Sequence, residues 1–290
     1  MRLATIGMRL CIVRSEGALD VETVTEGRFS PDPQQAFERW DELQRWYAAS
    51  EETLAAATAQ LYEASNLGPP VPAPRQIFGI GLNYRDHAAE ANLELPTQHA
   101  VVFAKFPASV TGPFAEVELP SDAVDFEAEL VVVMGRGGRR ISRDDAWGHI
   151  AGLTLGQDLS ERQVQWRGPT PQFSLGKSYP GFAPIGPVLV TPDEFPDLED
   201  IGIGCTLNGR TMQKGSSRDM VFTIPQLVEQ LSAVVPLLPG DLIFTGTPAG
   251  IGWTRDPRVV LQPGDQLVTH AEVIGEMTTT FTAPDTGPHR

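Results

Sequence analysis

Glu127 and Glu129 stand one residue apart in Asp125-Phe126-Glu127-Ala128-Glu129-Leu130-Val131-Val132-Val133, a strand-like run that turns wholly apolar after the second acid. Successive side chains on a strand point to opposite faces, so the two acids share one face while Phe126, Ala128 and Leu130 share the other. Ionised carboxylates this close at the entrance to a core repel one another and resist desolvation. They need a cation between them, a shared proton, or open water. A third acid, Asp158, follows a second strand-like run, Leu153-Thr154-Leu155. Three carboxylates without His or Cys favour a hard cation that takes oxygen ligands, Mg²⁺ first, then Mn²⁺ or Ca²⁺. Such a site keeps octahedral positions for water and a chelating substrate. The competing account has the same acids facing solvent or held in salt bridges.

His87 and Glu90 form the second candidate, in Asn83-Tyr84-Arg85-Asp86-His87-Ala88-Ala89-Glu90. On a helix, residues three apart share a face. A carboxylate bonded to an imidazole fixes its tautomer and raises its basicity, as a general base requires. A surface pair is the ordinary alternative. Arg162 and Gln165 lie four and seven residues after Asp158, which matches one helical face. Lys177 sits among small residues in Gly176-Lys177-Ser178. These groups could bind an anionic substrate or an enolate, or could be plain surface charge. Thr245-Gly246-Thr247-Pro248-Ala249-Gly250 is a Gly-rich loop after an apolar strand, without the Gly-Lys-Ser/Thr ending of a phosphate loop. Thr247 and exposed backbone N–H groups could hold a carboxylate there.

The elements that must position these residues are short. The 28 Gly and 25 Pro of the 290-residue chain point to many brief strands joined by turns. Residues 1–70 read as a small α+β domain: a hairpin over residues 3–13 and 21–29, a helix over 33–48, and a second helix from an N-cap at Ser50 to residue 64. The stretch from Gly68 to Pro74 cannot continue a helix, and the domain boundary is placed there. Residues 71–290 read as a β-rich catalytic domain, with one helix over 224–234 and a frayed end from Ala283. Pro239-Gly240-Asp241 and Pro263-Gly264-Asp265 suit type II turns ahead of strands.

Composition narrows the function classes. A net charge of −15 argues against nucleic acid as a partner. Cys11 and Cys205, the two cysteines, lack metal-ligand spacing, so no disulfide framework is expected and a reducing cytoplasm fits. No apolar run approaches the roughly 20 residues that span a bilayer, so no membrane partner is expected.

The ordered set of segments resembles the fumarylacetoacetate hydrolase family over residues 75–280. It comprises the segment 83–90, the Glu127-x-Glu129 strand, Gln157-Asp158-Leu159-Ser160-Glu161-Arg162 with Gln165, Gly176-Lys177-Ser178, Leu207-Asn208-Gly209, Leu238-Pro239-Gly240-Asp241 and the loop 245–250. The resemblance implies an α+β, β-rich fold, a mixed β-roll or barrel with the site at one mouth, in a homodimer; the cytoplasmic location is expected from composition alone. It implies Mg²⁺ or Mn²⁺ on Glu127, Glu129 and Asp158. His87 with Glu90 and Lys177 become catalytic residues, and Tyr84, Arg85, Arg162, Gln165 and Thr247 substrate-binding ones. The implied activity is catabolic hydrolysis of a C–C bond in an acylpyruvate-type 1,3-dicarbonyl or 2-oxo acid. Oxaloacetate decarboxylation, isomerisation and hydration share the same enolate chemistry, and a non-catalytic binding paralogue is the remaining alternative. Pro180, where many members carry an acid, and Gln157 in place of Asn are departures that leave the substrate open.

Overall fold

The computed structural model describes residues 1–284. Its centre is an eleven-stranded mixed sheet in which Ala128–Met134 lies between Ile150–Gln157 and Leu242–Phe244, antiparallel to both. Ile77–Gly81 runs parallel to Leu242–Phe244, and Val101–Ala104 closes that edge. A five-stranded sheet, including Gly202–Leu207, Gln266–Ala271 and Gly275–Thr282, packs beside it. The alternation expected around the paired acids holds. Phe126, Ala128, Leu130, Val132 and Met134 enter the larger apolar core, whereas Val131 and Val133 enter a second core on the other face. Glu127 and Glu129 continue that second face to the end of the strand.

This topology brings four chain segments to one end of the sheet. Ala128 pairs with Gln157, so Glu127 meets the residue that follows the neighbouring strand, and the Asp158 N–H donates to the Glu127 carbonyl at 2.9 Å. Leu242–Phe244 and Ile77–Gly81 finish at the same end, delivering residues 245–250 and 82–90. The helix expected over 224–234 is present as Ile224–Val234, with a Thr223/Gln226 capping box and Pro at its start. Gly240 and Gly264 take φ of +81° and +90°, as the two Pro-Gly-Asp turns require.

The amino-terminal part differs from the sequence expectation in three places. Its hairpin is Arg2–Ile6 with Arg9–Arg14, followed by Gly17–Asp20, and residues 21–24 form a helical turn rather than a strand. Asp20 caps that turn through a 2.9 Å bond from the Thr23 N–H, a local alternative that outweighs the β preference of Val21. The first helix breaks at Arg39 into Pro33–Glu38 and Trp40–Ala49, and Phe37 and Trp40 stack at 5.8 Å across the break. The second ends at Ala56 because only Leu54 is buried, leaving too little apolar face to hold more turns. Arg2 and Leu3 pair with Val190 and Leu189, so the first strand extends the central sheet. Both cysteines are free and buried, and burial pushes the Cys205 thiol up to about 12. Among the described residues no helix is long and apolar enough to cross a membrane.

Candidate active site

Glu127, Glu129 and Asp158 converge. Each offers one carboxylate oxygen within 4.8 Å of the others, and all three are buried. Each is served differently. Glu127 accepts from Arg162 Nη2 at 2.6 Å and from Lys177 Nζ at 2.8 Å. Burial opposes its charge, but Lys177 and Arg162 outweigh burial and hold the carboxyl far below the usual range. Asp158 accepts from Lys177 at 2.5 Å and from Lys105 at 2.6 Å. Glu129 receives the Gly246 N–H at 2.7 Å and, among the described residues, no cationic side chain. Burial and the neighbouring Asp158 and Glu127 charges raise its proton affinity well above that of an ordinary carboxylate.

The loop that supplies this N–H is tightly built. Gly246 has φ +96°, and a Cβ there would stand 2.8 Å from that of Asn83. The buried Asn83 amide in turn donates to the carbonyls of Thr245 (2.8 Å) and Phe222 (3.0 Å) and accepts from the Phe222 N–H (2.8 Å). Asn83 thereby ties the loop to the start of Arg85–Glu90, the helix that carries His87. His87 Nδ1 lies 2.8 Å from Glu90 Oε1, and Glu90 Oε2 accepts the Gly250 N–H at 2.9 Å. Burial pushes the Glu90 carboxyl up, but the bonds from His87 and Gly250 prevail and keep it low. With Nδ1 engaged, Nε2 is the nitrogen left to act in a cavity of about 150 Å³ that His87, Glu127, Arg162, Gln165, Lys177 and Thr247 line.

Arg162 comes to the site by another route than a helical face shared with Asp158. Ser160–Glu161 pairs with Val124–Asp125 as a short β bridge, and the helix begins only at Arg162. The guanidinium therefore meets Asp125 (2.6 and 3.1 Å), Glu127, and Gln165 Oε1 (2.8 Å). Burial disfavours its charge, but Glu127 and Asp125 keep it firmly protonated. Thr247 lines the cavity with its hydroxyl already engaged, donating to the Ala128 carbonyl (2.9 Å) and accepting from Gln213 (2.7 Å). Tyr84 and Arg85 stand outside the cavity wall. Tyr84 is fully buried, and Arg85 donates to the carbonyls of Asp219 (3.1 Å) and Met220 (2.9 Å).

Two charged residues of the site escaped the sequence reading. Lys105 is buried and donates to Asp158 and to the carbonyls of Phe182 (3.1 Å) and Lys177. Burial lowers its proton affinity and Asp158 offsets part of that. Asp125 is fully buried, and besides Arg162 it accepts the N–H groups of Gly252 (2.8 Å) and Trp253 (3.1 Å). Asp125 opens the acidic run, which is a visible signal. Lys105 ends an apolar strand, and nothing in its spacing announces a partner 53 residues on.

Comparison with known proteins agrees with this architecture. The human protein "Oxaloacetate tautomerase FAHD2A, mitochondrial" is 41% identical over 208 residues, 71% of this chain and 66% of that protein. The chain thus spans just under two thirds of that relative's length. A crystal structure described as an HpcE protein from Mycobacterium smegmatis superposes with a TM-score of 0.91 at 47% identity, covering 98% of this chain and 100% of that one. Maleylpyruvate hydrolase from Sphingobium sp. SYK-6, in complex with manganese(II) ion and pyruvate, gives a TM-score of 0.81 at 28% identity, covering 98% and 100%. The family described as "Fumarylacetoacetate (FAA) hydrolase C-terminal" matches residues 76–282, and with that match the chain belongs to the fumarylacetoacetate hydrolase family.

Proposed function

We propose that the protein is a divalent-metal-dependent hydrolase that cleaves the C–C bond of an acylpyruvate-type 2-oxo acid. The observation that carries this reading is His87, bonded to Glu90, lining the same cavity as Glu127, one of the three clustered buried acids. The donor set fits a hard dication: every ligand atom is a carboxylate oxygen, and among the described residues Glu129 makes no salt bridge. Glu127, Glu129 and Asp158 would hold the ion, Mg²⁺ or Mn²⁺. When bound, it supplies positive charge that polarises the 2-oxo acid end of the substrate.

The chain's own groups do the rest. His87 Nε2 takes a proton from water as its oxygen adds to the remote carbonyl carbon, and Glu90 holds the imidazole in the required tautomer. The C–C bond then breaks, leaving its electron pair on the pyruvate side as an enolate. The imidazolium returns its proton to the enolate's methylene carbon, which becomes the methyl group of pyruvate, and the products are a carboxylic acid and pyruvate. Lys177 and the Gln165 amide, whose oxygen is held by Arg162, line the cavity and steady the developing negative charge.

Tautomerisation is the second reading, favoured by the name of the 41% identical human relative, an oxaloacetate tautomerase. There the same base would move a proton between carbon and oxygen of oxaloacetate, with no water consumed. The two separate in parallel assays of Mg²⁺- and Mn²⁺-loaded protein. Loss of the ultraviolet absorbance of acetylpyruvate with stoichiometric pyruvate supports hydrolysis. Accelerated keto–enol interconversion of oxaloacetate alone supports the second reading, and activity on neither substrate sinks both. We further propose a homodimer formed over the Val101–Ala104 edge strand, where Val101 and Val102 are exposed. Sedimentation at micromolar concentration tests it.

A further inference from the structure

We propose, resting on the reading above, that the cavity selects 2-oxo acids whose far end is an uncharged apolar group of about phenyl size. Beyond the acids the wall is made by Leu93, Val101, Phe103, Trp166, Phe173 and Trp253. Phe103 meets Phe173 edge-on at 5.7 Å and Trp166 meets Phe173 at 6.1 Å, so three rings form one continuous surface. This surface is built into the backbone. A Cβ at Gly79 would fall 2.3 Å from the Phe103 ring, so the glycine is what lets that ring lie against its neighbouring strand. Trp166 and Leu93 are 50% and 48% exposed, apolar area at a cavity mouth that a ligand would cover.

The charges argue in the same direction. The cations of the lining lie at the acid end, Arg162 bonded to Asp125 and Glu127 and Lys177 to Glu127 and Asp158, and none of the six residues named for the far wall is charged. Arg258 stacks on Trp253 at 3.9 Å from the ring centroid and does not line the cavity. A second carboxylate on the substrate would lose its water against rings and find no cation in exchange.

The test uses the Mn²⁺-loaded protein and four probes that cannot be cleaved: oxalate, N-methyloxamate, N-phenyloxamate and N-(2-carboxyethyl)oxamate. Binding is followed by calorimetry and by the change in tryptophan fluorescence, to which Trp166 and Trp253 contribute from the cavity wall. The phenyl probe is expected to bind about 10- to 100-fold tighter than the methyl probe, as burial of one ring implies. The carboxyethyl probe should bind no tighter than the methyl one. Phe173→Ala should bring the phenyl-to-methyl ratio close to 1 with oxalate affinity unchanged. Trp166→Ala, at a half-exposed position that does not hold the fold, should lower the same ratio. A carboxyethyl probe that binds tightest, or a phenyl probe that gains nothing, overturns the inference while leaving the proposed activity standing. Failure of oxalate to bind refutes the proposed activity itself, and this inference falls with it.

Discussion

Replacing Arg162 by Met separates a substrate-binding guanidinium from one that holds the site together. Only 4% of the residue is exposed, and its nitrogens reach Asp125 at 2.6 and 3.1 Å, Glu127 at 2.6 Å and Gln165 at 2.8 Å. In Arg162→Met, Glu127 keeps Lys177 and Asp125 keeps only backbone N–H donors. The substitution therefore leaves a fully buried aspartate without a countercharge. Breaking one side of a buried pair costs about 3–5 kcal/mol. With 290 residues at about 2.1 cal/mol/K each, the unfolding entropy is about 0.6 kcal/mol/K, and the melting temperature should fall by about 5–8 °C. Scanning calorimetry of Arg162→Met beside Asp125→Asn/Arg162→Met is the assay. The double variant should recover part of the loss, since the stranded charge is gone. A fall under about 2 °C, accompanied by a raised KM, would refute the structural role and return Arg162 to the substrate.

Three other outcomes follow from the same geometry. His87→Ala should lower kcat/KM about 10²- to 10⁴-fold while Mn²⁺ affinity measured by calorimetry stays at the wild-type value; full activity removes His87 as the base. Glu129→Gln should weaken Mn²⁺ binding at least about tenfold, since even an outer partner of a metal site is worth that much; unchanged affinity takes Glu129 out of the ligand set. Asp241 is fully buried with three N–H donors from Gln76 and Leu238 and no cation, and burial pushes its carboxyl up to about 6 from 3.8. A raised acid favours the folded state below pH 3.8, and that contribution is lost as pH rises to 6. The loss is at most about 3 kcal/mol. The difference in melting temperature between wild type and Asp241→Asn should narrow across this window as pH is raised, and parallel curves would contradict the assignment.

What the sequence reveals of the site tracks how local each relation is. Alternation over 126–133 sorts the acids from the core residues because it depends on neighbours one position apart. The Ile224–Val234 helix is legible from its Thr-x-x-Gln start, which is again local chemistry. The bond between His87 and Glu90 needs only one helical turn. Lys105 with Asp158, and Asp125 with Arg162, span 53 and 37 residues, and both pairings are created by strand order rather than by spacing. The same reason undoes the helical face drawn through Asp158 and Arg162, since a β bridge intervenes between them. Tyr84 and Arg85 share a motif with His87, yet motif membership does not say which side chains face the cavity. Residues 285–290, part of the tail expected to fray from Ala283, lie outside the described residues.

The opening question of the sequence, whether the paired acids find a cation, a proton or water, receives a divided answer. Asp125, Glu127 and Asp158 are each met by Arg162, Lys177 or Lys105 at 2.5–2.8 Å, so among the four acids Asp125, Glu127, Glu129 and Asp158 the chain brings its own countercharge for three. Glu129 is the exception. Among the described residues its one bond is to a backbone N–H, and burial with the Asp158 and Glu127 charges outweighs the attraction of Lys177, so the ionised form gains from a further positive charge. A proton satisfies that need one charge at a time, whereas a dication does so while also drawing on the oxygens of Glu127 and Asp158. The internal cations therefore matter twice. They offset most of the negative charge that burial of these acids would otherwise leave uncompensated. They also leave the unmet charge at a single residue, which marks where an ion would have most to gain.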